Sequence, residues 1–333
     1  MTAETSTALT VPKTELHIHI EGALEPELTF ARAERNGVTL PYAGVEELRG
    51  RYEFSDLQSF LDLYYTGMNV LHRAEDFTAL ADSYLTRAAA QGVRHAEIFF
   101  DPQAHTTRGV ALETVLDGLE ASLSTSEERF GVSTALIACF LRDRGSAEAS
   151  RMLDELLEHR QRIIGIGLDS AELGHPPGDF AEVFSRARRA GLRLVAHAGE
   201  EGPADYVWQA LDVLGVDRVD HGVRAVDDPE LVKRLARDRV PLTVCPLSNV
   251  RLRGVDDLGQ HPLPRLVDAG VVTTINSDDP SYFGGYAGDN FRAIERELGF
   301  GAEALREFAR NSVAASFLAP ERRERLLAEI DSG

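Results

Sequence analysis

The stretch Thr14-Glu15-Leu16-His17-Ile18-His19-Ile20-Glu21-Gly22 decides how the chain is read. Its apolar, β-branched character predicts a strand. Strand side chains alternate between faces, so His17 and His19 point one way and Leu16, Ile18 and Ile20 the other. Such a strand can be buried on both sides, with core on one and a polar site on the other. Two imidazoles with a common direction are half of a zinc site. An isolated His-x-His is more often a pair of ordinary histidines, so the other ligands must come from elsewhere in the chain.

Working outward, β-like and helix-like runs alternate. Eight apolar runs of strand length occur: Glu15–Glu21, His95–Asp101, Ser133–Phe140, Ile163–Asp169, Leu192–His197, Arg218–His221, Leu242–Ser248 and Val271–Asp279. Most are near-continuous apolar stretches, the pattern of parallel strands covered on both faces. Amphipathic helices lie between them. In Asp179–Ala190, Phe180, Val183, Phe184 and Ala187 fall at helical spacing and Gly191 closes the helix; Pro229–Arg237 repeats the pattern with Leu231, Val232 and Leu235. Eight such units predict a (β/α)8 barrel in one domain spanning 1–333. Residues 1–11 read as a flexible leader, without the basic and apolar regions of a signal peptide.

The link between the first two strands is long. Residues 23–92 contain three predicted helices, Glu25–Asn36, Leu57–Leu71 and Ala74–Ala90. In a barrel this excursion leaves from the C-terminal end of the first strand, where active sites sit. It therefore reads as a helical lid whose aromatics, Phe54, Phe60, Tyr64 and Tyr65, either line a flat apolar substrate or pack the lid down. Beyond Asp289 three helices complete the chain: Phe291–Leu298, Ala302–Phe317 and Pro320–Ile330.

Composition narrows the class. The chain is 43% apolar and 27% charged with a net charge of −19, so a nucleic acid partner is disfavoured. No apolar run is long enough to span a membrane. Cys139 and Cys245 each end an apolar run and read as buried free thiols, which fits a reducing cytoplasm. Oligomeric state is left open.

The remaining metal-type residues fall at one end of the barrel. His17 and His19 end the first predicted strand, His197 the fifth, His221 the sixth, and Asp278 with Asp279 the eighth. Histidines and carboxylates gathered at the catalytic face of a barrel form a metal site. The only lysines are Lys13 and Lys233, so no lysine on the fourth strand could be carboxylated to bridge two ions, and a single zinc is expected. His17, His19, His197 and Asp278 would hold it and leave one position for water. Glu200, three residues past a ligand, is placed to move a proton between water and substrate. His221 would orient the attacking oxygen, and Asp279 would reach the substrate. Of the other histidines, His95 lies at the wrong end of its strand and His175 at the catalytic face without a clear role; His72, His105, His159 and His261 read as surface or packing residues.

The segments PKTELHIHIEGAL, AHAGEEG, DHGVR and NSDDP together resemble the adenosine/adenine deaminase family of the amidohydrolase superfamily, over Pro12 to about Phe317. The resemblance implies a (β/α)8 barrel, one Zn2+ per chain, and hydrolytic loss of ammonia from C6 of a small 6-aminopurine. It also implies that His17, His19, His197 and Asp278 are ligands, Glu200 the proton donor to N1, His221 the residue steadying the attacking oxygen, and Asp279 the contact to N7. Adenosine deaminases usually carry an aspartate in place of Glu21, to hold ribose, and a glycine in place of Ser170. Glu21 and Ser170 are therefore expected to shrink the ribose pocket. The stretches GLDSAELGHPPGDF and SDDPSYFGGY look like the adenine deaminase branch, although that branch commonly has a serine in place of Ala171. The resemblance thus implies adenine as substrate, in purine salvage. Adenosine or a larger 6-aminopurine such as aminodeoxyfutalosine is the alternative, and an inactive purine-binding barrel the non-enzymatic one.

Overall fold

A computed structural model describes residues 7–332. Eight strands run in sequence order around one sheet: β1 Lys13–His19, β2 Val93–Phe100, β3 Ser133–Leu141, β4 Gly165–Asp169, β5 Arg193–Ala198, β6 Arg218–His221, β7 Leu242–Val244 and β8 Thr273–Ile275. Every neighbouring pair is parallel. The ring closes beyond β8, where Ile18 bridges to Asp278. There the Asp278 N–H donates to the His17 carbonyl and the His19 N–H to the Asp278 carbonyl, each at 3.0 Å. This is the expected (β/α)8 barrel.

The alternation read from the sequence places the core. Ile18 and Ile20 join the large apolar cluster under the surrounding helices, while His17 and His19 face inward against Phe99. Phe99, Ile137, Cys139 and Val195 fill the barrel interior. Gly167 makes room for them, because a Cβ there would lie 2.5 Å from the Cys139 sulfur. Lower down, buried Glu97 and Arg218 pair at 2.5 Å, and Phe317 covers the guanidinium. Removing one member of such a pair costs about 3–5 kcal/mol, because the other charge is left buried. Both cysteines are free and buried.

Several predicted boundaries move. β7 stops at Val244, since Pro246 opens the helix Pro246–Arg251 where strand had been expected through Ser248. β1 ends at His19, and Glu21–Ala23 turns into a 3-10 helix. The leader expected over 1–11 is corrected for its described part. Thr7–Thr10 forms a short helix, α1, and Ala8 and Val11 are buried in the main cluster. Two apolar anchors tie this segment down; residues 1–6 lie outside the described residues.

The long β1–β2 excursion holds α2 Pro26–Asn36, α3 Val45–Arg49, α4 Leu57–Gly67 and α5 Ala74–Ala90. Asp56 caps α4, accepting from the Ser59 N–H at 2.8 Å while the Ser59 hydroxyl returns to the N-terminal turn. Phe54, Phe60 and Tyr64 pack with Tyr282 and Phe283 into a second apolar cluster at the mouth of the barrel. Among the described residues, no helix is long and apolar enough to cross a membrane.

Candidate active site

A cavity opens at the C-terminal ends of the strands. The barrel supplies His19, His197, Glu200, His221, Asp278 and Asp279; α4 supplies Leu57, Phe60, Leu61, Tyr64 and Tyr65. Acid-base groups thus lie on one side and a mainly apolar wall on the other, a form suited to a small flat heterocycle.

The metal-type donors converge. His17 Nε2 lies 3.3 Å from Asp278 Oδ1, and His19 Nε2 lies 3.5 Å from the same oxygen. The Nε2 atoms of His19 and His197 face each other at 3.1 Å. His17 Nε2 and Asp278 Oδ2 are buried with no hydrogen-bond partner. Orphaned donors pointing at one spot fit a bound cation better than a hydrogen-bond network. Each far nitrogen has a polar neighbour: His17 Nδ1 meets the Thr243 hydroxyl at 2.9 Å, His19 Nδ1 lies 3.5 Å from Asp169, and His197 Nδ1 lies 3.6 Å from Asp220 without a hydrogen bond. Outer partners of this type fix the ring orientation of metal-ligating histidines. The four buried donors that lie within 4.8 Å of one another and could hold a metal ion are those of His17, His197, His221 and Asp278, while His19 groups with Asp278 and Asp279.

His221 is also close to the group, with its Nε2 3.7 Å from Asp278 Oδ2 and 3.5 Å from Glu200. It addresses the opposite carboxylate oxygen from His17 and His19, on the side of Glu200. Burial raises the Glu200 carboxyl well above the usual range, and the charges of Asp278 and Glu172 add to this. Asp279 is raised for the same leading reason, with Asp278 second. Burial also pushes Asp278 upward, but the imidazoles, His17 foremost, more than offset this and hold it low. Burial lowers His221 to about 3. Burial thus shifts the Glu200 and Asp279 carboxyls toward the protonated form and the His221 imidazole toward the neutral form, while at His17 burial is outweighed by the charges of Asp278 and Asp220, which shift it the other way.

Backbone geometry serves the same residues. Ser170, His221 and Asp278 have φ of 69°, 61° and 64°. Left-handed non-glycine residues are uncommon and gather at functional sites. Gly22 seats Asp279, since a Cβ there would lie 2.1 Å from Asp279 Oδ1.

Of the expected substrate contacts, Asp279 and Ser170 line the cavity, and the Ser170 hydroxyl meets the Tyr65 hydroxyl at 2.9 Å. Glu21 does not line it. The chain leaves strand geometry at His19, so Glu21 no longer shares the inward face. It accepts from His105 Nε2 at 2.7 Å and from the Asp101 N–H at 3.2 Å, fully buried behind the wall. His175 is also absent from the lining. Sequence reasoning missed Asp101, which lines the cavity and is pushed up to about 8 by burial and then by Glu21. It sits immediately after β2, so the strand-end rule that found the histidines would have found it. Asp169, the last residue of β4, was missed in the same way.

Comparison with known proteins agrees with this geometry. The sequence model of the adenosine deaminase family matches residues 12–333. An adenine deaminase from Streptomyces coelicolor is 63% identical over 97% of this chain and 95% of its own length. The crystal structure of an adenine deaminase from Arthrobacter aurescens superposes with a TM-score of 0.96 at 57% identity, covering 97% of this chain and 99% of that one. A zinc-bound amidohydrolase from Burkholderia ambifaria superposes with a TM-score of 0.90 at 30% identity, covering 98% and 92%. By fold, by motif and by near-complete sequence coverage, the chain belongs to the adenosine deaminase family of the amidohydrolase superfamily.

Proposed function

We propose that this protein hydrolyses adenine to hypoxanthine and ammonia, in purine salvage. The observation that carries the reading is the convergence of Glu200, His221 and Asp279 on the metal-type cluster beneath a small apolar cover. The similarity to adenine deaminases over nearly the whole chain supports adenine as the substrate.

His17, His19, His197 and Asp278 would hold one zinc ion per chain. His19 is preferred to His221 as ligand because it faces the same Asp278 oxygen as His17 and is backed by Asp169. Zinc supplies an activated water nucleophile near neutral pH. The protein's own residues do the rest. Burial shifts the Glu200 carboxyl toward its protonated form, the form that gives a proton to ring N1 as C6 is attacked. The ring thereby loses aromaticity at the attacked carbon, which an amino leaving group requires. His221, between Glu200 and Asp278, steadies the incoming oxygen and accepts its proton. Asp279, shifted by burial toward its protonated form, donates to N7. Phe60, Leu61 and Tyr64 exclude bulk water from the ring face. His221 returns the proton it took to the departing amine, which leaves as ammonia, and one water is consumed. The two buried free thiols support a reducing compartment such as the cytoplasm.

The test is a panel of 6-aminopurines with purified, metal-analysed protein. Adenine is expected to give the highest kcat/KM, with one zinc per chain. A higher kcat/KM for adenosine or a larger nucleoside would overturn the substrate, and purine binding without ammonia release would overturn the enzyme.

A further inference from the structure

The turn that carries Glu200 is gripped by a carboxylate that does not line the cavity. Glu172 lies in the loop after β4 and is fully buried. Its Oε1 accepts from the Gly199 N–H at 2.6 Å. Its Oε2 accepts from the N–H groups of Glu200, Glu201 and Gly202 at 3.0, 2.9 and 2.7 Å. Four consecutive amides thus converge on one side chain, as main-chain N–H groups converge on bound anions elsewhere. In this fold the anion is part of the chain. Gly202 permits the approach, because a Cβ there would lie 2.7 Å from the Glu172 carboxyl carbon.

A second buried group holds the same turn from the other side. Arg142 donates from Nη1 to the His197 carbonyl at 2.8 Å and from Nε to the His175 carbonyl at 2.9 Å. The His175 N–H in turn donates to the Glu172 carbonyl at 3.2 Å. Carbonyl and amide groups on the two sides of Ala198 are therefore fixed by a cation and an anion from separate loops. Residue 200 has little freedom to shift its Cα.

We propose that Glu172 is a positioning residue for Glu200: its carboxylate sets the backbone of residues 199–202 and so the reach of the Glu200 carboxyl to the substrate ring. This rests on Glu200 being the proton donor. Proton transfer is steep in distance, and a misplacement of about 1 Å costs on the order of 100-fold in rate.

The test compares zinc-loaded wild type with E172Q, E172D, E200Q and E172Q/E200Q, on whichever 6-aminopurine the wild type turns over fastest. Glutamine keeps the size of Glu172 but turns an N–H donor toward the amides. In E172Q, kcat is expected to fall about 10- to 100-fold with KM and zinc content little changed. Hydrogen exchange at amides 199–202 is expected to accelerate. E172D keeps the charge and recovers part of kcat. In the E200Q background E172Q adds no further loss, because the donor it positions is already gone. Wild-type kcat in E172Q, unchanged exchange at 199–202, or an equal additional loss in the double variant would each overturn the proposal. If E172Q does not fold, E172D alone and in the E200Q background decides by the same readouts. Failure of the wild type to deaminate adenine would overturn the substrate assignment and leave the Glu172 measurements intact.

Discussion

Replacing Glu200 by glutamine removes the transferable carboxyl proton and leaves the outline of the side chain nearly unchanged. Glu200→Gln is expected to retain wild-type zinc by elemental analysis and to lose at least about 100-fold in kcat, the scale of a general acid. Loss of zinc in this variant would show that Glu200 helps hold the ion. Glu21 gives the opposite lesson. From the sequence it was a candidate for selecting base over nucleoside; in the fold it is bonded to His105 behind Asp101. Glu21→Gln is therefore expected to leave the ratio of kcat/KM for adenine and adenosine within about threefold and to lower the melting temperature, since a buried partnership is weakened. The metal-type residues were legible because histidine at a strand end is rare and chemically loud. Asp101, Asp169 and Glu172 were less so, because an acid after a strand is also common as a helix cap, and only three-dimensional neighbours separate the two roles.

At the scale of the element, β1 carries the site at one end and an unusual base at the other. Lys13 is buried and donates to the carbonyls of Val11 at 2.8 Å and Gln91 at 2.9 Å, with its ammonium 5.1 Å from the Phe291 ring centre. Burial, and then the charge of Arg94, lower its pKa to about 7. In the unfolded chain the lysine stays protonated to about 10.4. Between these values the unfolded state binds more protons than the folded one, so the Lys13 contribution to stability improves as pH rises. Urea unfolding at pH 6.5 and pH 9 is expected to show wild type gaining on Lys13→Met by on the order of 2 kcal/mol at the higher pH. A pH-independent difference would mean that the ammonium keeps its ordinary affinity. Element boundaries were legible where a proline opens a clearly amphipathic helix, as at Pro229. β7 was overrun because Cys245 and Leu247 continue the apolar pattern through the start of a helix, and periodicity cannot separate a short buried strand from a buried helical turn.

For the whole molecule, the metal-type cluster draws on β1, β5, β6 and the segment after β8, so an ion there links both ends of the chain to its middle. A ligand that binds only the folded state stabilises it by about 4 kcal/mol at a thousand times its dissociation constant. Chelation is expected to lower the melting temperature by at least about 5 °C, with recovery on adding zinc, measured by calorimetry. Asp278→Ala should show the lowered melting temperature without chelator and a reduced zinc content. The barrel itself was legible because parallel strands buried on both faces leave long apolar runs. The cover was legible only as helices; which of its aromatics reach the cavity depends on how α4 sits across the barrel mouth.

The closure between β1 and the segment after β8 has a consequence for synthesis. Leu16 donates its N–H to the Asn276 side chain at 2.9 Å across 260 residues, and Asp278 pairs through its backbone with both His17 and His19. A contact this distant in sequence is among the last a growing chain can make. A nascent chain that stops before Asp278 carries His17 and His19 and lacks both the carboxylate proposed to complete the metal site and the backbone bridge that closes the ring. Interrupted translation therefore yields inert fragments, and hydrolytic competence arrives only with the finished barrel.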